Sequence, residues 1–162
     1  MNNITINQLK APKFIAIEGP IGVGKSSLAE RLANSFGCDV VKEKADDNPF
    51  LEHFYKHPEQ SALPVQLHFL TERVKQWNEL SQNDIFSKGI VADFMLEKDR
   101  LFAQLTLTPE EFKLYDQMYQ TLSVQKTNAD LVVYLQAPVD TLLKRIKKRG
   151  IHHETGITRD YL

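Results

Sequence analysis

Gly19-Pro20-Ile21-Gly22-Val23-Gly24-Lys25-Ser26 is the stretch that decides how this sequence folds. It fits G-x-x-x-x-G-K-[ST] without a mismatch, a pattern that carries weight only between a strand and a helix. Both flanks supply that context. Phe14-Ile15-Ala16-Ile17 is a short continuous apolar run, as expected of a central strand buried on both faces. After the loop, Leu28, Leu32 and Phe36 recur at helical spacing and face inward in this reading, with Gly37 as the stop. Gly19, Gly22 and Gly24 let the backbone N–H groups turn inward on phosphate oxygens, and the helix dipole adds positive charge there. Lys25 would reach the outer phosphates and the Ser26 hydroxyl would ligate Mg²⁺. Val23 and Ser27 complete the nucleotide-binding set, Gly19, Gly22, Val23, Gly24, Lys25, Ser26 and Ser27.

Outward from the loop, strands alternate with helices. That pattern predicts an α/β fold with a P-loop NTPase-type parallel sheet, flanked by helices on both faces. A second strand is expected near Asp39-Val40-Val41, leading to Glu43. Residues 48–81 read as two helices with breaks near Pro58 and Pro64. Lys88-Gly89-Ile90-Val91-Ala92 reads as a third strand running into Asp93. Thr108-Pro109-Glu110-Glu111 has the form of a capping box with Pro at the first helical position, opening a helix towards Lys126. Leu131-Val132-Val133-Tyr134-Leu135 reads as another buried strand. From Pro138 a helix carries Leu142, Leu143 and Ile146 inward and ends at Gly150.

With 162 residues the chain is long enough for one domain, read here as a single P-loop domain over residues 1–162. Its 20 Lys and Arg nearly balance 21 Asp and Glu, so phosphate binding must come from a local site and not from a global field. Neither nucleic acid nor membrane is expected as a partner. No apolar run approaches a bilayer span, and the first residues lack an export signal, which makes the cytoplasm the expected compartment. The single cysteine, Cys38, is expected as a small buried apolar residue.

Several phosphate-loop classes fit so far. A GTPase would carry N-K-x-D, which is missing, and motor or transport ATPases are usually longer. Beyond the loop the sequence has Glu43, then Asn48-Pro49-Phe50-Leu51-Glu52-His53-Phe54-Tyr55, then Gln66 and Arg73. This series resembles the deoxynucleoside kinase family, and the likeness runs from about Phe14 to Leu162. The resemblance implies that Glu43 is the general base for a sugar 5′-hydroxyl. It implies that Tyr55 holds the 3′-hydroxyl and that Gln66 and Arg73 read the base. It also places Asp93 in the Mg²⁺ shell with Ser26, and Asp99 against the base, favouring a purine over thymine. Read alone, each residue has a plainer account: Glu43 a solvated loop charge, Tyr55 a core residue, Gln66 and Arg73 neighbours on one helix face.

Lys144-Arg145-Ile146-Lys147-Lys148-Arg149 places five positive charges in six residues at a helix C-terminus, which cations complement in any protein. In the resembled family this stretch, about 144–156 here, is a lid closing over the triphosphate. Arg145, Arg149, Gly150 and Glu154 match it, as does the trailing Asp160-Tyr161-Leu162. The implied roles are phosphate neutralisation for Arg145 and Arg149, catalytic together with Glu43 and Lys25, and a grip on the sugar for Glu154. Two departures stand out. Phe94 and Met95 occupy the places of an Arg-Ser pair, and Ile151 that of a third lid arginine. Family members also continue past the lid, so the resemblance implies an open sheet edge and a homodimer. The expected activity is ATP- and Mg²⁺-dependent phosphorylation of a deoxynucleoside. A non-catalytic nucleotide-binding module and a nucleoside monophosphate kinase are the alternatives.

Overall fold

A computed structural model describes residues 12–44, 48–82, 88–122 and 128–162. In chain order the elements are β1 (Phe14–Glu18), α1 (Lys25–Phe36), β2 (Asp39–Val41), α2 (Leu51–Lys56), α3 (Pro58–Gln82), β3 (Ile90–Ala92), α4 (Leu96–Thr106), α5 (Pro109–Thr121), β4 (Leu131–Tyr134) and α6 (Val139–Arg149). A short 3₁₀ helix, His152–Gly156, follows. The strands form one sheet in the order β2-β3-β1-β4, and every neighbouring pair is parallel.

Successive side chains of a strand point to opposite faces, so one apolar strand can serve two layers. Phe14 and Ala16 of β1 pack with Val41, Ile90, Ala92, Phe94 and Trp77 of α3. Ile15 and Ile17 pack on the other face with Val91 and with Ala29 and Ala33 of α1. Helices therefore cover both faces, as the continuous apolar runs predict. Because all strands are parallel, their C-terminal ends lie along one edge, the place where open α/β sheets bind ligands. Glu18, Glu43 and Asp93 all come from that edge.

Four readings need correction. On α1 the deep contact is made by Ala29 and Ala33, with Leu28 and Leu32 at its margin; Phe36 is 63% exposed, in the last turn where the chain already reverses. Small residues at the contact bring the helix onto the sheet, and the large ones flank it. The helix also does not break at Pro64, which lies inside α3. Pro64 removes one N–H, but Ala62 and Val65 beside it are buried with Leu51 and Phe54 of α2, and that packing offsets the lost bond. β4 is not buried: among the described residues it is an edge strand paired only with β1, and Leu131 and Val132 are each 47% exposed. An apolar run alone does not distinguish centre from edge. Cys38 is half-buried at the margin of the α1 layer, where a Cβ on Gly89 would stand 3.1 Å from its sulfur.

α4 is an addition that the sequence pattern left unread. No Gly or Pro interrupts Leu96–Thr106, and Asp99 and Ala103, one turn apart, are its buried positions. The capping box at Thr108 forms as expected: Thr108 Oγ1 accepts the Glu111 N–H at 3.3 Å and Glu111 Oε2 accepts the Thr108 N–H at 3.0 Å. The expected run of α5 towards Lys126 falls outside the described residues beyond Leu122.

Candidate active site

At the C-terminal edge of the sheet lies a cavity of about 790 Å³. Its floor is the loop from Pro20 to Ser27, between β1 and α1. Gly19 has φ +144°, and a Cβ there would stand 2.4 Å from the carbonyl oxygen of Leu135, so only glycine allows β4 to approach. A Cβ on Gly22 would meet Ile146 of α6 at 2.9 Å. Lys25 Nζ donates to the carbonyls of Gly19 at 3.0 Å and Pro20 at 3.2 Å, so the ammonium curls over its own loop. Burial holds its pKa below the ordinary 10.5, helped by nearby Lys98 and opposed by Glu43, Glu18 and Asp93. Three carboxylates and a second ammonium thus surround Lys25.

Across the cavity from the loop, Glu43 follows β2 and its backbone N–H donates to Asp93 Oδ1 at 2.7 Å. Asp93 follows β3 and is buried. Arg73 of α3 joins two further acids: Nη2 pairs with Glu43 and Nη1 with Asp99 of α4. The guanidinium lies between two aromatic rings, 5.1 Å from the Phe69 centroid and 5.6 Å from that of Phe94. Such stacking suits arginine's flat, weakly hydrated cation. Burial alone would raise the Glu43 pKa, but Arg73, Lys98 and Lys25 together hold it below the ordinary 4.5. Asp99 is 2% exposed, and its Oδ2 and the Arg73 Nε have no hydrogen-bond partner among the described residues. A buried acceptor and a buried donor thus lack partners on two residues that line the cavity, and a polar heterocycle edge is the kind of group that could supply them.

Gln66, also on α3, is buried and donates from Nε2 to Thr106 Oγ1 at 3.3 Å. Tyr55 at the end of α2 lines the same cavity, and its ring meets that of Tyr161 edge-on at 5.6 Å. Burial, then Tyr161, Glu154 and Glu43, push its pKa well above the ordinary phenol value. Arg145 of α6 donates to the Val23 carbonyl at 2.9 Å, fastening that helix to the loop. Arg149 and Glu154 form a two-point pair, with Nε to Oε2 at 3.1 Å and Nη2 on Oε1. Ile151 faces the same space.

Gly22, Val23, Gly24, Lys25, Ser26, Ser27, Glu43, Tyr55, Gln66, Arg73, Asp93, Asp99, Arg145, Arg149 and Glu154 therefore all line one cavity, while Gly19 supports its floor. Sequence reasoning missed Glu18, Lys98, Phe69 and Phe102. Glu18, buried at the end of β1, accepts the Met95 N–H at 2.8 Å and the Gly19 N–H at 3.2 Å, and pairs with Lys98 at 3.1 Å. An acid directly before the glycine loop was the available signal.

A parallel sheet whose central strand runs into a phosphate-binding loop, with carboxylates around the loop lysine, has the framework of a P-loop kinase. The deoxynucleoside kinase family model matches residues 15–162. The chain is 37% identical over 151 residues to a deoxyguanosine kinase of Bacillus subtilis (strain 168), covering 92% of this chain and 72% of that protein. It is 34% identical over 148 residues to a deoxyadenosine kinase of Lactobacillus acidophilus, covering 85% of this chain and 67% of the relative. The fold superposes on a deoxyadenosine kinase from M. mycoides with products dCMP and a flexible dCDP bound: TM-score 0.77, 29% identity, 91% of this chain and 77% of that one. The same kinase with bound dATP gives TM-score 0.75 at 27% identity, covering 92% and 77%. This chain belongs to the deoxynucleoside kinase family.

Proposed function

We propose that this protein transfers the γ-phosphoryl group of ATP to the 5′-hydroxyl of a deoxynucleoside, with a purine base preferred. The observation that carries the reading is one cavity holding both the phosphate loop and the chain that links half-buried Glu43 to buried Arg73 and Asp99. ATP phosphates would take the Gly19–Ser27 loop amides, displacing Lys25 from the Gly19 and Pro20 carbonyls onto the outer phosphates. Glu43, ionised at neutral pH, would accept the hydroxyl proton. Tyr55 and Glu154 would hold the sugar, while Gln66, Arg73 and the unpartnered oxygen of Asp99 would read the base. A purine with an exocyclic amine gives Asp99 the donor it lacks, and names of deoxyguanosine and deoxyadenosine kinases among the relatives support that choice.

Residues 144–156 would act as the lid of a single kinase domain spanning 1–162, with Arg145 and Arg149 turning from their present partners to phosphate. Ser26 and Asp93 would hold Mg²⁺. Both line the cavity, and a hydroxyl beside one carboxylate suits an ion bound largely by phosphate and water. When bound, the ion supplies charge neutralisation on the phosphates. The proposal extends to a homodimer and to the cytoplasm. Exposed Leu101 and Leu105 of α4 and Leu114 and Met118 of α5 support self-association next to the pocket.

The test is ADP release from Mg·ATP, challenged separately with deoxyadenosine, deoxyguanosine, deoxycytidine, thymidine and each monophosphate. Stimulation by a purine deoxynucleoside is expected. ATP binding without any acceptor-dependent ADP release would replace this reading with a binding module, and stimulation only by monophosphates would replace it with a monophosphate kinase.

A further inference from the structure

Lys98 sits in the first turn of α4, and the position of that turn is fixed from the sheet. Glu18, at the C-terminal end of β1, accepts the N–H of Met95, the residue before α4, at 2.8 Å. It also accepts the N–H of Gly19, the first residue of the phosphate loop, at 3.2 Å. Lys98 Nζ lies 3.1 Å from the same carboxylate. One buried acid thus ties together the start of the loop, the start of α4 and the ammonium. The lysine passes over the Phe102 ring, 5.3 Å from its centroid, and its side chain is only 24% exposed, so it is directed into the cavity and away from solvent.

We propose that Lys98 is a second catalytic cation beside Lys25, moving from Glu18 to donate to an oxygen of the phosphoryl group in transit. The proposal rests on the kinase reading above. Lys98, Lys25 and Glu43 line the same cavity. A cation lining one cavity with both the loop lysine and the proposed base lies where donor and acceptor must meet. An ammonium has three donors, so pairing with Glu18 leaves capacity for phosphate oxygens. Glu18 for its part retains two backbone N–H donors when Lys98 departs, so the movement does not strand a buried carboxylate.

The step balances without another reactant. The 5′-oxygen forms a bond to the γ-phosphorus as its proton passes to Glu43, and the bond from that phosphorus to the β,γ-bridging oxygen breaks to leave ADP. Negative charge spreads over the three peripheral oxygens of the transferring group, and Lys98 would neutralise one of them.

Lys98→Gln, Lys98→Met and Lys98→Arg test this by steady-state kinetics, ATP binding and titration with ADP–aluminium fluoride plus deoxynucleoside, a mimic of the transferring phosphoryl group. The expected result for Gln and Met is a fall in kcat of about 100-fold. ATP affinity should stay within about threefold, with weaker binding of the mimic and partial recovery of kcat in the Arg variant. Near-normal kcat in Lys98→Gln would overturn the role of Lys98 while leaving the kinase reading intact. Equal losses in ATP and mimic affinity, tracking a lower melting temperature, would make Lys98 a structural partner of Glu18 and also overturn it. A wild-type protein without acceptor-dependent turnover would overturn both readings together. If Lys98→Met fails to fold, Lys98→Gln, which keeps a donor for Glu18, decides the matter by the same kcat criterion.

Discussion

Arg73 forms an ion pair with Glu43 although the two belong to different layers, one on α3 over the sheet and the other on the segment leaving β2. The pairing matters because the same guanidinium also holds Asp99. A single buried cation therefore serves both the acid that follows β2 and the acid on α4. Position of the proposed base and shape of the proposed base-reading pocket are set by one side chain.

Glu43→Gln should lower kcat by about 1,000-fold, on the scale of a lost general base, and leave ATP binding intact. A pH profile of kcat/KM adds a second check. The Glu43 pKa is held below 4.5, so its acidic limb should fall below pH 4.5 and the rate should be insensitive to this group towards neutrality. For stability the sign is that of a depressed acid: the pair contributes fully above the unfolded carboxyl's pKa and is lost as pH falls through the lower folded value. Near-normal turnover in the Gln variant would remove Glu43 from the base's role.

Arg73→Met removes the cation from two carboxylates at once. Arg73 is 6% exposed and Asp99 2%, so water cannot take over the lost charge. Breaking a buried pair in this way costs about 3 kcal/mol or more, and denaturant unfolding should show it. Adding Asp99→Asn should recover part of that stability without restoring deoxynucleoside affinity. A single variant as stable as the parent would mean that the pocket admits enough water to solvate both acids.

The framework was legible in the sequence for a physical reason. A strand buried on both faces is apolar throughout, and a loop that binds phosphate through its backbone is marked by its glycines, so Phe14–Ser26 announces itself locally. The matching residues Glu43, Tyr55, Gln66, Arg73 and Asp99 do reach one cavity. What could not be read is pairing across elements. Nothing in Phe69 or Phe94 signals that their rings enclose Arg73, and nothing in Lys98 names Glu18, 80 positions earlier, as its partner. The exposure of β4 is likewise a property of the sheet order and not of Leu131–Tyr134 themselves.

Thr108→Ala isolates a local term. Both halves of the capping box are present, and Thr108 lies away from the cavity lining. Loss of the cap should cost about 1 kcal/mol of stability, measured by urea unfolding, with kcat and KM unchanged. A change in deoxynucleoside KM would instead show that the α4–α5 connection is coupled to the pocket.

Gly156→Ala probes the contact between the 3₁₀ helix and the proposed sugar side of the cavity. A Cβ at this position would stand 3.3 Å from both the Cβ and the carbonyl oxygen of Tyr55, closer than ordinary van der Waals packing. Tyr55 is in turn held against Tyr161, so the added methyl must displace α2, the 3₁₀ helix or both. The phosphate loop is on the other side of the site and is anchored separately, through Arg145 on the Val23 carbonyl. Small misplacements of a positioning group cost rate and affinity steeply, so deoxynucleoside KM should rise roughly tenfold. ATP affinity should stay at the parent value. Equal losses for both substrates would show that the 3₁₀ helix moves as one piece with α6 and the loop, and that sugar and phosphate sites are not independently supported.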